Sequence, residues 1–86
     1  MHEMTLLNDL LKKVHRVADE HHANRIVGVT VRLGPLAHIS ASHLKEHFDW
    51  ATRGTDLEGV ELIVNETTDK HADDAQSILL DSIEIQ

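Results

Sequence analysis

Leu7, Leu10, Leu11, Val14, Val17 and Ala18 recur three and four positions apart, with Asp9, Lys12, Lys13, Arg16, Asp19 and Glu20 between them. This period predicts an amphipathic helix from about residue 5 to about residue 22. Thr5 is its expected N-cap and Asn24 its expected stop. His21 and His22 fall in the last turn, where positive charge suits the helix dipole; a solvated helix end is their plainer reading. In RIVGVTVRLG the period changes to two: Val27, Val29, Val31 and Leu33 alternate with Gly28, Thr30 and Arg32. Alternation with β-branched residues predicts a strand, which Gly34-Pro35 ends.

Residues 35–40 then form a loop, and Ser40 or Ser42 caps a second helix. That helix carries Leu44, Phe48 and Ala51 on one face with His47 beside them, and Gly54 breaks it. Val60, Leu62 and Val64 mark a second strand. NETTDKHADDAQ, residues 65–76, is polar and aperiodic and reads as a loop or wide turn. ILLDSIEI is a third strand whose two faces are poorly separated, which leaves its register open. The order is α-β-α-β-β. Strand–helix–strand implies a crossover, and the last two strands are expected to pair as a hairpin. The expected architecture is a single α/β (α+β) domain over residues 1–86, with two helices packed on a three-stranded mixed sheet. One sheet edge is open to pairing with a second copy, as in a homodimer.

Composition narrows what such a domain can do. At 86 residues the chain can bury one core but hardly an enzyme cleft. Phe48 and Trp50 are its only aromatic residues, so Leu, Ile and Val must build the core. A formal net charge of −7 argues against nucleic acid and suits cations. There is no apolar run of transmembrane length and no signal-peptide core, so a soluble, cytoplasmic chain with no membrane association is expected. Without cysteine neither disulfides nor thiolate metal sites can form, whereas 8 histidines is a high count.

Three stretches could carry metal chemistry. In Met1-His2-Glu3 a free terminal amine, the His2 backbone nitrogen and the His2 imidazole close adjacent chelate rings. The Glu3 backbone nitrogen completes a square plane, which favours Ni(II) or Cu(II) over Zn(II). The Glu3 carboxylate could orient the imidazole or approach axially. Two residues at a chain end are slight grounds, and on chemistry alone solvated terminal residues are the better reading. HLKEH, residues 43–47, matches H-x-x-E-H, an inverted zinc-protease pattern, with His43 and His47 as ligands and Glu46 as general base. The match is short and lacks a third ligand, so surface histidines are the better reading there too. Asp69, His71, Asp73 and Asp74 lack calcium-loop spacing and read as a solvated turn.

Together MHEM, the strand ending V-x-L-G, the helix followed by ATRGT, EGVELIVNE and the terminal SIEIQ resemble the HypA/HybF family, over residues 1 to 66 and again 78 to 86. The resemblance implies a nickel-delivery factor for maturation of a metalloenzyme, [NiFe]-hydrogenase first, and no enzymatic activity. It carries Met1, His2 and Glu3 over as the Ni(II) site and so reverses the reading of the terminus. It implies a HypB-like GTPase and a hydrogenase large-subunit precursor as partners. The family's zinc-binding insertion with two CxxC motifs is replaced here by NETTDKHADDAQ, so no structural zinc is expected. Where some members offer an acidic ligand after the first strand, this chain has GPLAHIS; Ser40 is a poor substitute and His38 an auxiliary nitrogen. The alternatives are a metal-independent interaction or regulatory module with the same fold, and a small zinc hydrolase built on HLKEH.

Overall fold

A computed structural model describes residues 3–86 of the chain. The first helix, α1, runs Glu3–Glu20 and buries Leu7, Leu10, Val14 and Ala18, the stripe that its period predicts. Its ends differ from expectation. It opens two residues before Thr5, which lies inside the helix as an exposed residue and does not cap it. It stops before the histidine pair, because His22 takes up a left-handed backbone with φ 52°. The His22 N–H donates to the Asp19 carbonyl at 3.1 Å and the Ala23 N–H to the Ala18 carbonyl at 3.0 Å. This is a Schellman closure, which satisfies carbonyls that the helix leaves unpaired. Asn24 lies past it, its N–H directed to the Gln86 carbonyl at 3.3 Å.

Strand β1, Ile26–Leu33, sends Val29, Val31 and Leu33 into the core. Helix α2, Ala41–Thr52, begins at Ser40, whose Oγ accepts the His43 N–H at 3.1 Å. Leu44, Phe48 and Thr52 form its buried face. The buried Thr52 hydroxyl is satisfied by donating to the Phe48 carbonyl at 2.8 Å. Arg53 leaves the helical region and Gly54 follows with φ 80°, a left-handed position that only glycine occupies cheaply. Strand β2 is Glu61–Glu66 and strand β3 is Ile78–Ile85.

The sheet order is β2-β1-β3, with β1 parallel to β2 and antiparallel to β3. The expected hairpin of the last two strands is therefore not formed. β1 lies between them because it carries the most apolar surface: Val29 and Val31 are fully buried, as a central strand requires. Opposite β1, Leu33 pairs with Ile78, Val31 with Leu80 and Val29 with Ile83. The ladder slips by one residue between Thr30 and Val31, leaving Asp81 as the extra residue of a bulge. That bulge is why the faces of ILLDSIEI look mixed in sequence. It also turns Asp81 to the outer face, where Arg32 reaches Asp81 and Asp74, each at 3.6 Å.

Helix α1 packs on β3 and α2 on β2, and both share one cluster built around Leu7, Leu10, Val14, Val29, Val31, Leu44, Phe48 and Leu62. Each fully buried Leu or Phe contributes about 1.5–3 kcal/mol, so this cluster holds the two helices on the sheet. Residues 67–77 run from β2 to β3 as successive turns. They lie on the β1–α2 turn: the Gly34 N–H donates to the Ser77 carbonyl at 3.0 Å and the Leu36 N–H to the Ala75 carbonyl at 2.8 Å.

Candidate metal centre

The ends of the elements decide which donor groups meet. Ile78 at the start of β3 pairs with Leu33 at the end of β1. Leu6 of α1 lines one cavity with Ser77, Ile78 and Leu79. The other end of α1 meets the start of β1 and the end of β3, where the Asn24 N–H donates to the Gln86 carbonyl, so the first turn of α1 lies toward the carboxyl ends of β1 and β2. The loop Pro35–Ser40 leaves β1 at that end. Ligands of open α/β sheets are commonly taken up by loops at this end of parallel strands.

Of the residues expected to bind metal, Met1 and His2 lie outside the described residues. Glu3 is the first residue of α1, and nothing is described of its side chain. The backbone position matters chemically. The first N–H groups of a helix have no intrahelical acceptor, so the Glu3 nitrogen is not committed to the helix ladder. His38 is exposed, in the loop at this same end, after a turn closed by the Ala37 N–H donating to the Gly34 carbonyl at 3.2 Å. Its backbone is left-handed, φ 61°, a conformation that costs a residue with a Cβ about 1–2 kcal/mol. Ser40 is occupied as the cap of α2, with its Oγ 3.3 Å from that of Ser42.

The HLKEH histidines sit on α2. His43 is exposed and His47 half-buried, and their rings meet edge to face with centroids 4.3 Å apart. Among the described residues no group of three or more His, Cys, Asp or Glu side chains is placed to hold a metal ion. Neither His38 nor Glu46 thus completes a three-ligand site with this pair. The acidic stretch folds as turns, with the His71 N–H donating to the Asp69 carboxylate at 2.9 Å.

One contact is invisible in the sequence. His15 Nε2 lies 3.1 Å from the Asp56 carboxylate and ties α1 to the segment after α2. The partners are 41 residues apart and share no motif.

These features define a class: a small open-faced α/β domain that gathers a helix start and a loop at one end of its sheet. The chain belongs to the HypA family. Its residues 1–72 match the family model described as hydrogenase/urease nickel incorporation, metallochaperone, hypA. It is 35% identical over 65 residues to the hydrogenase maturation factor HypA of Archaeoglobus fulgidus, a match covering 76% of this chain and 59% of that protein. With the Escherichia coli K12 protein of the same name it shares 35% identity over 66 residues, covering 77% and 57%. With that of Chlorobaculum tepidum it shares 36% over 66 residues, covering 77% and 58%. The matches thus span less than three fifths of the length of these relatives. The fold is that of the solution structure of the Ni metallochaperone HypA from Helicobacter pylori, with TM-score 0.79 at 16% identity, over 99% of this chain and 97% of that one. The family is one of metal-incorporation proteins and not of enzymes. No described helix is long and apolar enough to cross a membrane.

Proposed function

We propose that this chain binds Ni(II) at its amino terminus and passes it on during maturation of a metalloenzyme, [NiFe]-hydrogenase first. The observation that carries the reading is a family match that begins at residue 1 and takes in Met1-His2-Glu3. The terminal amine, the backbone nitrogen and imidazole of His2, and the backbone nitrogen of Glu3 supply the square plane. The Glu3 position at the head of α1 favours this, since its backbone nitrogen has no helix partner to give up. His38 is an auxiliary donor from the adjoining loop.

The proposal extends to the organisation of the protein. Residues 1–86 act as one nickel-binding domain, with residues 65–76, the first two of them within β2, as a short polar connection in place of a zinc-binding insertion, and without structural zinc. A HypB-like GTPase and a hydrogenase large-subunit precursor are the partners, the compartment is the cytoplasm, and an exposed sheet edge serves a homodimer.

Calorimetric titration of untagged protein with Ni(II) tests the core of this reading. His2→Ala removes the imidazole. Acetylation of the terminal amine turns it into an amide and leaves His2 untouched. Each change should abolish the tight site and leave circular dichroism unchanged, and His38→Ala should weaken it less. Retention of tight binding by the acetylated protein overturns the assignment of the amine as a ligand.

A further inference from the structure

His43 and His47 lie one turn apart on α2, His43 exposed and His47 half-buried at the margin of the core-facing stripe. Residues four apart on a helix have Cβ atoms about 5–6 Å apart, close enough for two imidazoles to reach one ion. Metal–nitrogen bonds of about 2.0–2.1 Å at a right angle place two imidazole centroids about 4.5 Å apart. The observed separation is 4.3 Å, at an interplanar angle of 69°. The rings already stand at the spacing that a shared metal demands. Rotation about χ2, a soft torsion, turns one nitrogen of each toward a common point.

We propose that His43 and His47 form a second site, for a divalent late first-row cation, independent of the amino terminus. The class of cation follows from the donors. Two neutral imidazoles suit Cu(II), Ni(II) and Zn(II), and exclude Mg(II) and Ca(II), which take oxygen ligands. With no third protein ligand placed among the described residues, water fills the remaining positions. Such a site is weak and fast to exchange, and its open positions accept a donor from another molecule. Trp50, the only tryptophan, follows His47 by three positions and His43 by seven, on the same side of α2, and is 67% exposed. A paramagnetic ion held by the pair therefore sits close to the single intrinsic fluorophore.

The experiment uses the full chain carrying His2→Ala, so that the terminal chelate does not contribute. Ni(II) and, separately, Zn(II) are titrated at fixed pH into this protein and into its His43→Gln, His47→Gln, His38→Ala and Glu46→Gln variants. Calorimetry and Trp50 emission are followed. Glutamine keeps helix propensity at these positions, and circular dichroism checks that each variant folds. The parent should bind one ion of either metal, with saturable loss of Trp50 emission for Ni(II) only. Loss of a mere outer-shell partner costs metal sites about 10–100-fold, so His43→Gln and His47→Gln should each weaken binding at least about tenfold. His38→Ala and Glu46→Gln should match the parent. Because the ion bridges only the formed helix, the folding equilibrium should shift about a hundredfold at a free metal concentration about a hundred times Kd. Absence of binding to the His2→Ala parent, or binding by the two glutamine variants as tight as the parent's, overturns the proposal. Failure of the amino-terminal site would appear instead as identical titrations of the His2→Ala and unsubstituted proteins.

Discussion

Gly34→Ala should be among the most damaging single-methyl changes in the chain. A Cβ built at Gly34 would lie 2.2 Å from the Ala75 carbonyl oxygen, 2.5 Å from its carbon and 2.7 Å from the Asp74 oxygen. Ordinary contact begins near 3.4 Å, so the two backbones must part by about 1.2 Å. All three obstructing atoms belong to main chain and cannot swing aside. Overpacking of this kind costs about 1–3 kcal/mol. The same displacement breaks or stretches the bonds from Gly34 N–H to Ser77 and from Leu36 N–H to Ala75, each worth about 0.5–1.5 kcal/mol. Reduced unfolded-state entropy returns about 0.4–1 kcal/mol. The net loss is about 1–6 kcal/mol, set against a total stability of about 4–13 kcal/mol for a chain of this length. Urea denaturation followed by circular dichroism reads this directly. With a slope near 1 kcal/mol/M for a small protein, the midpoint should fall by about 1 M or more. Gly54→Ala is the comparison. Its Cβ would meet nothing within 4 Å, so only the left-handed φ of 80° opposes it, at about 1–2 kcal/mol. A Gly34→Ala midpoint equal to or above that of the parent refutes the seating of residues 67–77 on the β1–α2 turn.

Other perturbations have smaller or simpler outcomes. His22→Gly should raise stability by roughly 1 kcal/mol, since glycine adopts the left-handed closure of α1 without Cβ strain; a lower melting temperature would refute the Schellman assignment. Ser40→Ala should cost about 1 kcal/mol through loss of the bond to the His43 N–H, read as a lower denaturation midpoint. Phe48→Ala, at a fully buried position, should cost about 3–5 kcal/mol and bring the protein close to unfolding. Arg32→Ala should change stability by less than about 1 kcal/mol, because its two ion pairs are half exposed. Excess chelator should leave the circular dichroism unchanged, because the chain has no cysteine for a thiolate metal site; loss of ordered signal would reveal a metal needed for folding.

Local signals carried most of the fold. Ser40 before an apolar period is a cap wherever it occurs, and α2 starts there. The alternation Val29, Val31, Leu33 required a half-buried strand, and those are the core residues of β1. What escaped depends on partners distant in sequence. Nothing in ILLDSIEI reveals that Asp81 is an extra residue, because a bulge is defined only against the strand opposite. Strand order escaped for a similar reason: adjacency in sequence favours a hairpin, and only the burial of Val29 and Val31 puts β1 at the centre. Thr5 and Asn24 are good capping residues by type, yet α1 extends past the one and closes before the other at His22, where backbone closure outweighs residue preference. The candidate site divides in the same way. His43 and His47 are neighbours by helix geometry alone and were legible as a pair. The placing of the β1–α2 loop at the same end of the sheet as the head of α1 follows from the pairing of the strands and could not be read from spacing.

The central position of β1 has a consequence for how such a chain can change over evolution. In a hairpin the connecting turn dictates the alignment of its two strands, so lengthening it disturbs the sheet. Here β2 and β3 are each aligned by their own ladder to β1 and never by one another. They stand two strand spacings apart, about 10 Å, and the segment between them need only cover that gap. A segment of 11 residues does so with length to spare, and a far longer one would meet the same two anchor points. The gap between β2 and β3 is therefore a socket, where a whole folding unit can be inserted or excised while the rest of the sheet keeps its alignment.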